Sequence, residues 1–327
     1  MQKGFSALCM VILLVAALSA DSFAVDLTIM TGGEKGTYYQ FGLNLKELVK
    51  SKGITLDVVN SSGSIENLYA VYQRPHTQMG IVQSDVLAFV SKVQSDPVLK
   101  RIATKTRMIF PLYNEEVHLL GRRDIKNFDG LAGKRVAIGQ EGSGTYLTAR
   151  LLFEVSEVRP GEMVPIGTDE ALSQLKAGRV DAMFYVAGYP VKLFAEDVSG
   201  NDGLALIPIL NKSIVEFYPQ SQIPARTYIW QQEPVDTVAV KSVLVSFNFR
   251  RSNCEYIGEF ANVIYENMDW LIQNGHSKWK SVDLEFPLKG WEQYDCVKSR
   301  LQHKRVVQKP AAELNPIMKA VKEILGP

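Results

Sequence analysis

Two glycine-rich turns carry the residue types with the most to offer chemically. The first is Thr31-Gly32-Gly33-Glu34-Lys35-Gly36-Thr37-Tyr38 and the second Gly139-Gln140-Glu141-Gly142-Ser143-Gly144-Thr145-Tyr146. Each follows a short apolar run and precedes an amphipathic one. A turn that opens a helix presents unpaired backbone N–H groups at the positive end of the helix dipole, an arrangement that favours an anionic oxygen. Glycine lets the backbone approach a ligand, and the hydroxyls of Thr37, Ser143 and Thr145 can add hydrogen bonds or cap the helix. The implied chemistry is capture of a carboxylate or another small oxyanion.

Other chemistries fail on spacing. Neither turn fits G-x-G-x-x-G or ends in the Gly-Lys-Ser/Thr of a P-loop, which argues against a nucleotide. The histidines His76, His118, His276 and His303 are scattered, with no H-E-x-x-H motif, so no metal site or cofactor is expected. Gly142-Ser143-Gly144-Thr145 lacks the nucleophile elbow of hydrolases, which makes Ser143 a donor rather than a nucleophile. Glu115, Glu116 and His118 resemble an acid/base cluster. On an alternating strand, however, Glu116 and His118 share a face and Glu115 points away, so a structural or hinge role is expected for them.

The elements that position these turns occur as two similar units. The first runs through strands at Leu27–Met30, Ile54–Val59 and Met79–Val82, with a helix opening at Ser61-Ser62-Gly63-Ser64-Ile65-Glu66-Asn67. The second runs through Arg135–Ile138, Met163–Ile166 and Asp181–Tyr185, with a helix opening at Gly167-Thr168-Asp169-Glu170. Strand, helix, strand, helix, strand is the alternation of parallel α/β sheets, whose ligands sit at the carboxyl ends of the strands. Phe41, Leu45, Leu48 and Val49, like Leu147, Leu151, Leu152 and Val155, fall on one helical face suited to packing on a sheet. The stretch Phe110–Leu120 reads as a strand joining two lobes, and Thr237–Val240 with Val243–Phe247 as the return, followed by a helix over Glu255–Asn274. The expected organisation is lobe 1 at 25–114, lobe 2 at 115–210, a return to lobe 1 through the hinge at 211–297, and a basic tail with a short helix at 298–327.

With 327 residues there is room for two compact lobes, and a net charge of +1 removes any whole-surface attraction for nucleic acid. Lys3, the apolar run Leu8–Leu18 and Ser22-Phe23-Ala24 form the pattern of a secretory signal peptide over residues 1–24, predicting a periplasmic protein. Cys9 would leave with that segment. In an oxidising compartment the remaining Cys254 and Cys296 can either pair or stay as buried thiols.

The motifs together resemble the TAXI-type solute receptors of tripartite TRAP transporters. The resemblance rests on Thr31-Gly32-Gly33-x-x-Gly36-Thr37-Tyr38-Tyr39, Ser62-Gly63-Ser64-x-Glu66-Asn67-Leu68, Gly80-Ile81-Val82-Gln83-Ser84-Asp85, Leu112-Tyr113-Asn114-Glu115-x-Val117-His118, Gly142-Ser143-Gly144-Thr145 and Leu175-Lys176-Ala177-Gly178-x-Val180-Asp181-Ala182. It implies a type II-like periplasmic binding protein fold, each lobe a mainly parallel sheet flanked by helices, closing over a small organic anion such as a dicarboxylate, a 2-oxoacid or glutamate. By motif position it implies cleft-lining roles for Thr37, Tyr38, Ser64, Gln83, Ser143, Gly144, Thr145 and Tyr185, with Tyr228 from the Ile223-Pro224-x-x-x-Tyr228 segment. It further implies a monomer without catalysis that hands its solute to a TRAP-type permease. An ABC permease or a sensor kinase as client, or an exported hydrolase using Ser143 with His118, are the competing readings. Members usually end near a His-Pro-Gly-Ala stretch, whereas here His303-Lys304-Arg305 leads into the extra tail.

Overall fold

The computed structural model describes residues 25–92, 96–288 and 290–308, with side chains described as far as residue 302. The signal segment, Cys9 and the tail helix expected from Pro310 lie outside the described residues.

The first unit forms strands β1 (Val25–Met30), β2 (Ile54–Val59) and β3 (Met79–Gln83), with helices α1 (Thr37–Lys50) and α2 (Ser64–Gln73) between them. Both β2 and β3 run parallel to β1. Helix α1 buries Phe41, Leu45, Leu48 and Val49, as its periodicity predicts. After α3 (Ser84–Lys92) and α4 (Pro97–Lys105), the long strand β4 (Thr106–Arg122) crosses to the second unit. There β5 (Arg135–Ala137), α5 (Gly144–Ser156), β6 (Glu162–Val164), α6 (Thr168–Lys176) and β7 (Ala182–Ala187) repeat the pattern, and β5 is parallel to both β6 and β7.

The chain continues through α7 (Lys192–Asp197), β8 (Leu204–Leu206), α8 (Lys212–Phe217) and β9 (Gln220–Ile223), then recrosses on β10 (Val235–Phe247). Helices α9 (Ser252–Glu266), α10 (Met268–Asn274) and α11 (Asp295–Gln308) close the described chain. The strand order is β2-β1-β3-β10-β4-β7-β5-β6 within one 10-stranded sheet. Each outer trio is parallel, while the central β4 and β10 run antiparallel to each other and to their neighbours. The lobes therefore share one mixed sheet, curled about its two crossing strands.

Those strands change allegiance midway. On β4, Ile109, Phe110, Leu112 and Tyr113 join the core of lobe 1, whereas Val117 and Leu119 join that of lobe 2. On β10, Val238 and Val240 pack in lobe 2 and Val243 and Val245 in lobe 1. A register shift lies between Lys241 and Val243, at the switch itself, where a bulge can bend both strands together.

The return to lobe 1 comes later than residue 211. Ile214 and Tyr218 are buried with Phe153 and Phe184 of lobe 2, and Ile223 and Tyr228 with Phe194. The reason is local pairing, since β9 hydrogen-bonds the first half of β10 over Val235–Val238. The helix expected over Glu255–Asn274 is two helices, because Asn267 Nδ2 donates to the Val263 carbonyl at 2.7 Å and competes with the helical ladder. The basic run from Lys298 begins inside α11, whose Val297 and Leu301 are buried in the core of lobe 1. Cys254 of α9 and Cys296 of α11 are disulfide-bonded, with Cα atoms 5.6 Å apart. Among the described residues no helix is long and apolar enough to cross a membrane.

Candidate functional site

Helices α1, α2, α5 and α6 all begin at the rim of one cavity of about 430 Å³ between the lobes. Three of them have glycine at the N-cap, namely Gly36, Gly63 and Gly167, and so no side chain satisfies their first N–H groups. At α5 the Ser143 hydroxyl accepts from Tyr146 N at 3.0 Å. Four dipole ends facing one volume leave several backbone donors for a ligand, and they come from both lobes.

The turns are held by their own sequence. Asn67 Nδ2 donates to the carbonyls of Thr31 (2.6 Å) and Ile81 (2.7 Å), fixing the ends of β1 and β3 against α2. The lobes touch across the cavity mouth, where Glu66 N donates to Gly142 O at 3.1 Å and Thr37 Oγ1 to Gly188 O at 2.5 Å. Gly144 permits this approach, since a Cβ there would lie 1.4 Å from Gln83 Oε1 and 2.7 Å from Ser64 Oγ of the opposite lobe. Gly36 does the same for the Tyr185 hydroxyl, at 2.6 Å from a built Cβ.

Eight of the nine residues expected in the cleft line this cavity: Thr37, Tyr38, Ser64, Gln83, Ser143, Gly144, Thr145 and Tyr185. They are not equally free to bind. Thr37 spends its hydroxyl proton on the interlobe bond to Gly188, and the Thr145 hydroxyl accepts from Val186 N at 3.1 Å. Gln83 Nε2 is buried without a partner, and the Ser64 hydroxyl accepts from Gln83 N at 3.0 Å. Burial raises the Tyr185 phenol, so it enters the site as a neutral donor.

Tyr228 lies elsewhere. It is 1% exposed in the core of lobe 2, its hydroxyl 2.9 Å from His118 Nε2 and accepting from Val191 N, with its ring stacked on Trp230. His118 is held from its other side by the Glu116 carbonyl, 3.0 Å from Nδ1. Burial lowers its pKa to about 4, leaving it neutral. The Ser143 hydroxyl is instead engaged by Tyr146 N, and the His118 nitrogens by Glu116 and Tyr228. Among the described residues no group of three or more His, Cys, Asp or Glu is placed to hold a metal.

Glu115 is one of the cavity residues that sequence reasoning missed, with Asp169, Glu170 and Gln140 among the others. Alternation does send it away from Glu116 and His118, but the face it turns to is the cavity. Tyr38 donates to its Oε1 at 2.6 Å. Burial pushes its carboxyl well above the usual range; the Tyr38 bond and Lys278 oppose that shift, while Asp85 and Glu116 add to it. On the other face, Lys278 Nζ lies 2.7 Å from the Glu116 carboxylate, both buried, and 3.7 Å from the centre of the Tyr189 ring. Among the described residues, the charged ones lining the cavity are Glu115, Asp169 and Glu170, with no lysine or arginine. Lys35, in the first turn, reaches outward to Asp197 at 2.5 Å.

A family model described as the NMT1-like family matches residues 29–291. The chain belongs to the NMT1-like family. Solved structures share its fold at low identity. The periplasmic binding protein BugD is 11% identical with a TM-score of 0.53, the match covering 87% of this chain and 93% of that one. MatC from Rhodopseudomonas palustris, solved with bound malate, is 18% identical at 0.53, covering 88% and 98%. A structure described as a periplasmic transporter is 12% identical at 0.53, covering 90% and 99%. This NMT1-like chain thus has the periplasmic binding protein fold, with its cavity where the two lobes meet.

Proposed function

We propose that the protein is an extracytoplasmic solute receptor of the TAXI type. It captures a small organic anion, a dicarboxylate, a 2-oxoacid or an amino acid such as glutamate, and delivers it to a TRAP-type membrane permease. The observation that carries this reading is the convergence of four helix N-termini from both lobes on one cavity. Its volume of about 430 Å³ falls within the roughly 300–1,000 Å³ of small-molecule sites. The neighbour solved with bound malate agrees with an organic acid as cargo.

In this reading the acid's carboxylate is held by backbone N–H groups at Thr37 and Gly144–Thr145, assisted by Ser64, Gln83 and Ser143. Tyr38 and Tyr185 cover its body. The closed state gains contacts from both lobes, so binding shifts the population toward closure, which the permease senses. Residues 1–24 direct export and are removed, and the receptor acts as a monomer without a catalytic step. A thermal-shift screen over dicarboxylates, 2-oxoacids, amino acids, sugars and cations tests it. An acid at 100 times its Kd is expected to add about 2.7 kcal/mol to stability. A neutral sugar or a cation that stabilises the protein where no acid does would reject it.

A further inference from the structure

Glu115 poses a problem for anion capture. An ionised carboxylate on the cavity wall would repel the carboxylate that the helix N-termini attract, and among the described residues the cavity lining offers no cation to offset it. The one buried cation nearby, Lys278, is engaged by Glu116 on the opposite face of β4. The titratable groups close enough to act on Glu115 are Tyr38 from α1, Asp85 from the start of α3, Tyr185 from β7, Tyr113 from its own strand and, across β4, Glu116 with Lys278 from the turn Ser277–Ser281. Of these only Lys278 is positive. Tyr38 donates to Oε1, which leaves Oε2 as the oxygen able to carry a proton.

We propose that Glu115 serves as a neutral carboxylic acid that donates its Oε2 hydrogen to the captured carboxylate, so that each organic anion enters the closed receptor together with one proton held on this residue. The proposal rests on the anion-receptor reading. It makes Glu115 the specificity element of the site: a donor toward acids when protonated, and a barrier to them when ionised. The proton comes from solvent while the cleft is open, because an ionised Glu115 is tolerated only there. No bond other than O–H is made or broken. Burial that pushes the carboxyl upward agrees with this assignment.

The test uses the mature wild-type protein and Glu115→Gln, which keeps a donor of similar shape but cannot ionise, with pyruvate, 2-oxoglutarate and glutamate as probes. Difference infrared spectra of the acid-bound proteins at neutral pH are expected to show a neutral-carboxyl C=O band in the wild type that Glu115→Gln lacks. For the acids that bind, affinity is expected to fall by up to about tenfold per pH unit as the pH is raised from acid to alkaline and the open-state carboxyl ionises. In Glu115→Gln it is expected to be retained and flat. Acids that bind with pH-independent affinity to the wild type, or a wild type without the band, would overturn the proton and leave the receptor reading standing. Binding confined to glutamate and abolished in Glu115→Gln would make the residue an ammonium acceptor, which also overturns it. Should none of the probes bind at either end of the range while a neutral solute does, the receptor reading falls and the proton proposal with it.

Discussion

Glu115 and Glu116 are adjacent on β4, both buried, yet their surroundings are opposite. Glu116 meets Lys278 at 2.7 Å and shares its face with His118. Glu115 meets a tyrosine hydroxyl and an open cavity. One face is a closed, charge-compensated seam where the strands change lobes, and the other lines the cavity between the lobes. A two-residue period thus separates a charge-compensated seam from a cavity wall on the same stretch of backbone.

The comparison breaks most severely on the Glu116 face. Lys278→Met leaves a buried carboxylate without its partner, and urea denaturation is expected to show a loss of roughly 3–5 kcal/mol. Adding Glu116→Gln in the same chain should recover much of that loss. If Lys278→Met alone were as stable as the wild type, the pair would not be holding the seam.

Gly144→Ala probes the other face and is expected to spare the fold. The added methyl would fall on Gln83 only when the lobes meet, so overpacking of about 1–3 kcal/mol should appear in solute affinity, roughly a ten- to hundredfold loss, with the melting temperature of the free protein little changed. Calorimetric titration checks this. Unaltered affinity would mean that the solute is held with the lobes apart.

The smallest effect is in pH, and its sign differs between groups. His118 is lowered to about 4 in the folded protein from an ordinary value near 6.5, so the unfolded chain binds the extra proton first. Stability should decline as pH falls from about 6.5 toward 4 and hold above that window. For Glu115 the folded value is raised, so its contribution declines as pH rises above the ordinary carboxylate range. Denaturation midpoints of His118→Gln and Glu115→Gln should each flatten only their own side of the profile. A profile unchanged by both substitutions would contradict the burial described here.

Much of this arrangement is legible in the sequence, because periodicity and turn chemistry are local. The paired Gly-Thr-Tyr turns, the helix faces of Phe41 and Leu152, and the apolar crossing stretch around Val117 follow from spacing alone. What spacing leaves out is what each face confronts. Alternation separates Glu115 from Glu116 without revealing that one side is a cavity, and it does not say that Lys278, far along the chain, neutralises the other. Tyr228 fits a motif position yet packs on Trp230, since the turn bearing it folds under lobe 2. The late return to lobe 1 depends on β9 pairing with β10, a long-range choice that neither segment announces.

The central claim is that this cavity takes an organic acid. It is met most directly by denaturing the mature receptor, purified without added solute from its native compartment, and identifying the released small molecules by mass spectrometry. The account predicts a single organic acid in about equimolar amount, lost in Gly144→Ala. A neutral sugar, or an acid released equally by Gly144→Ala, would contradict it.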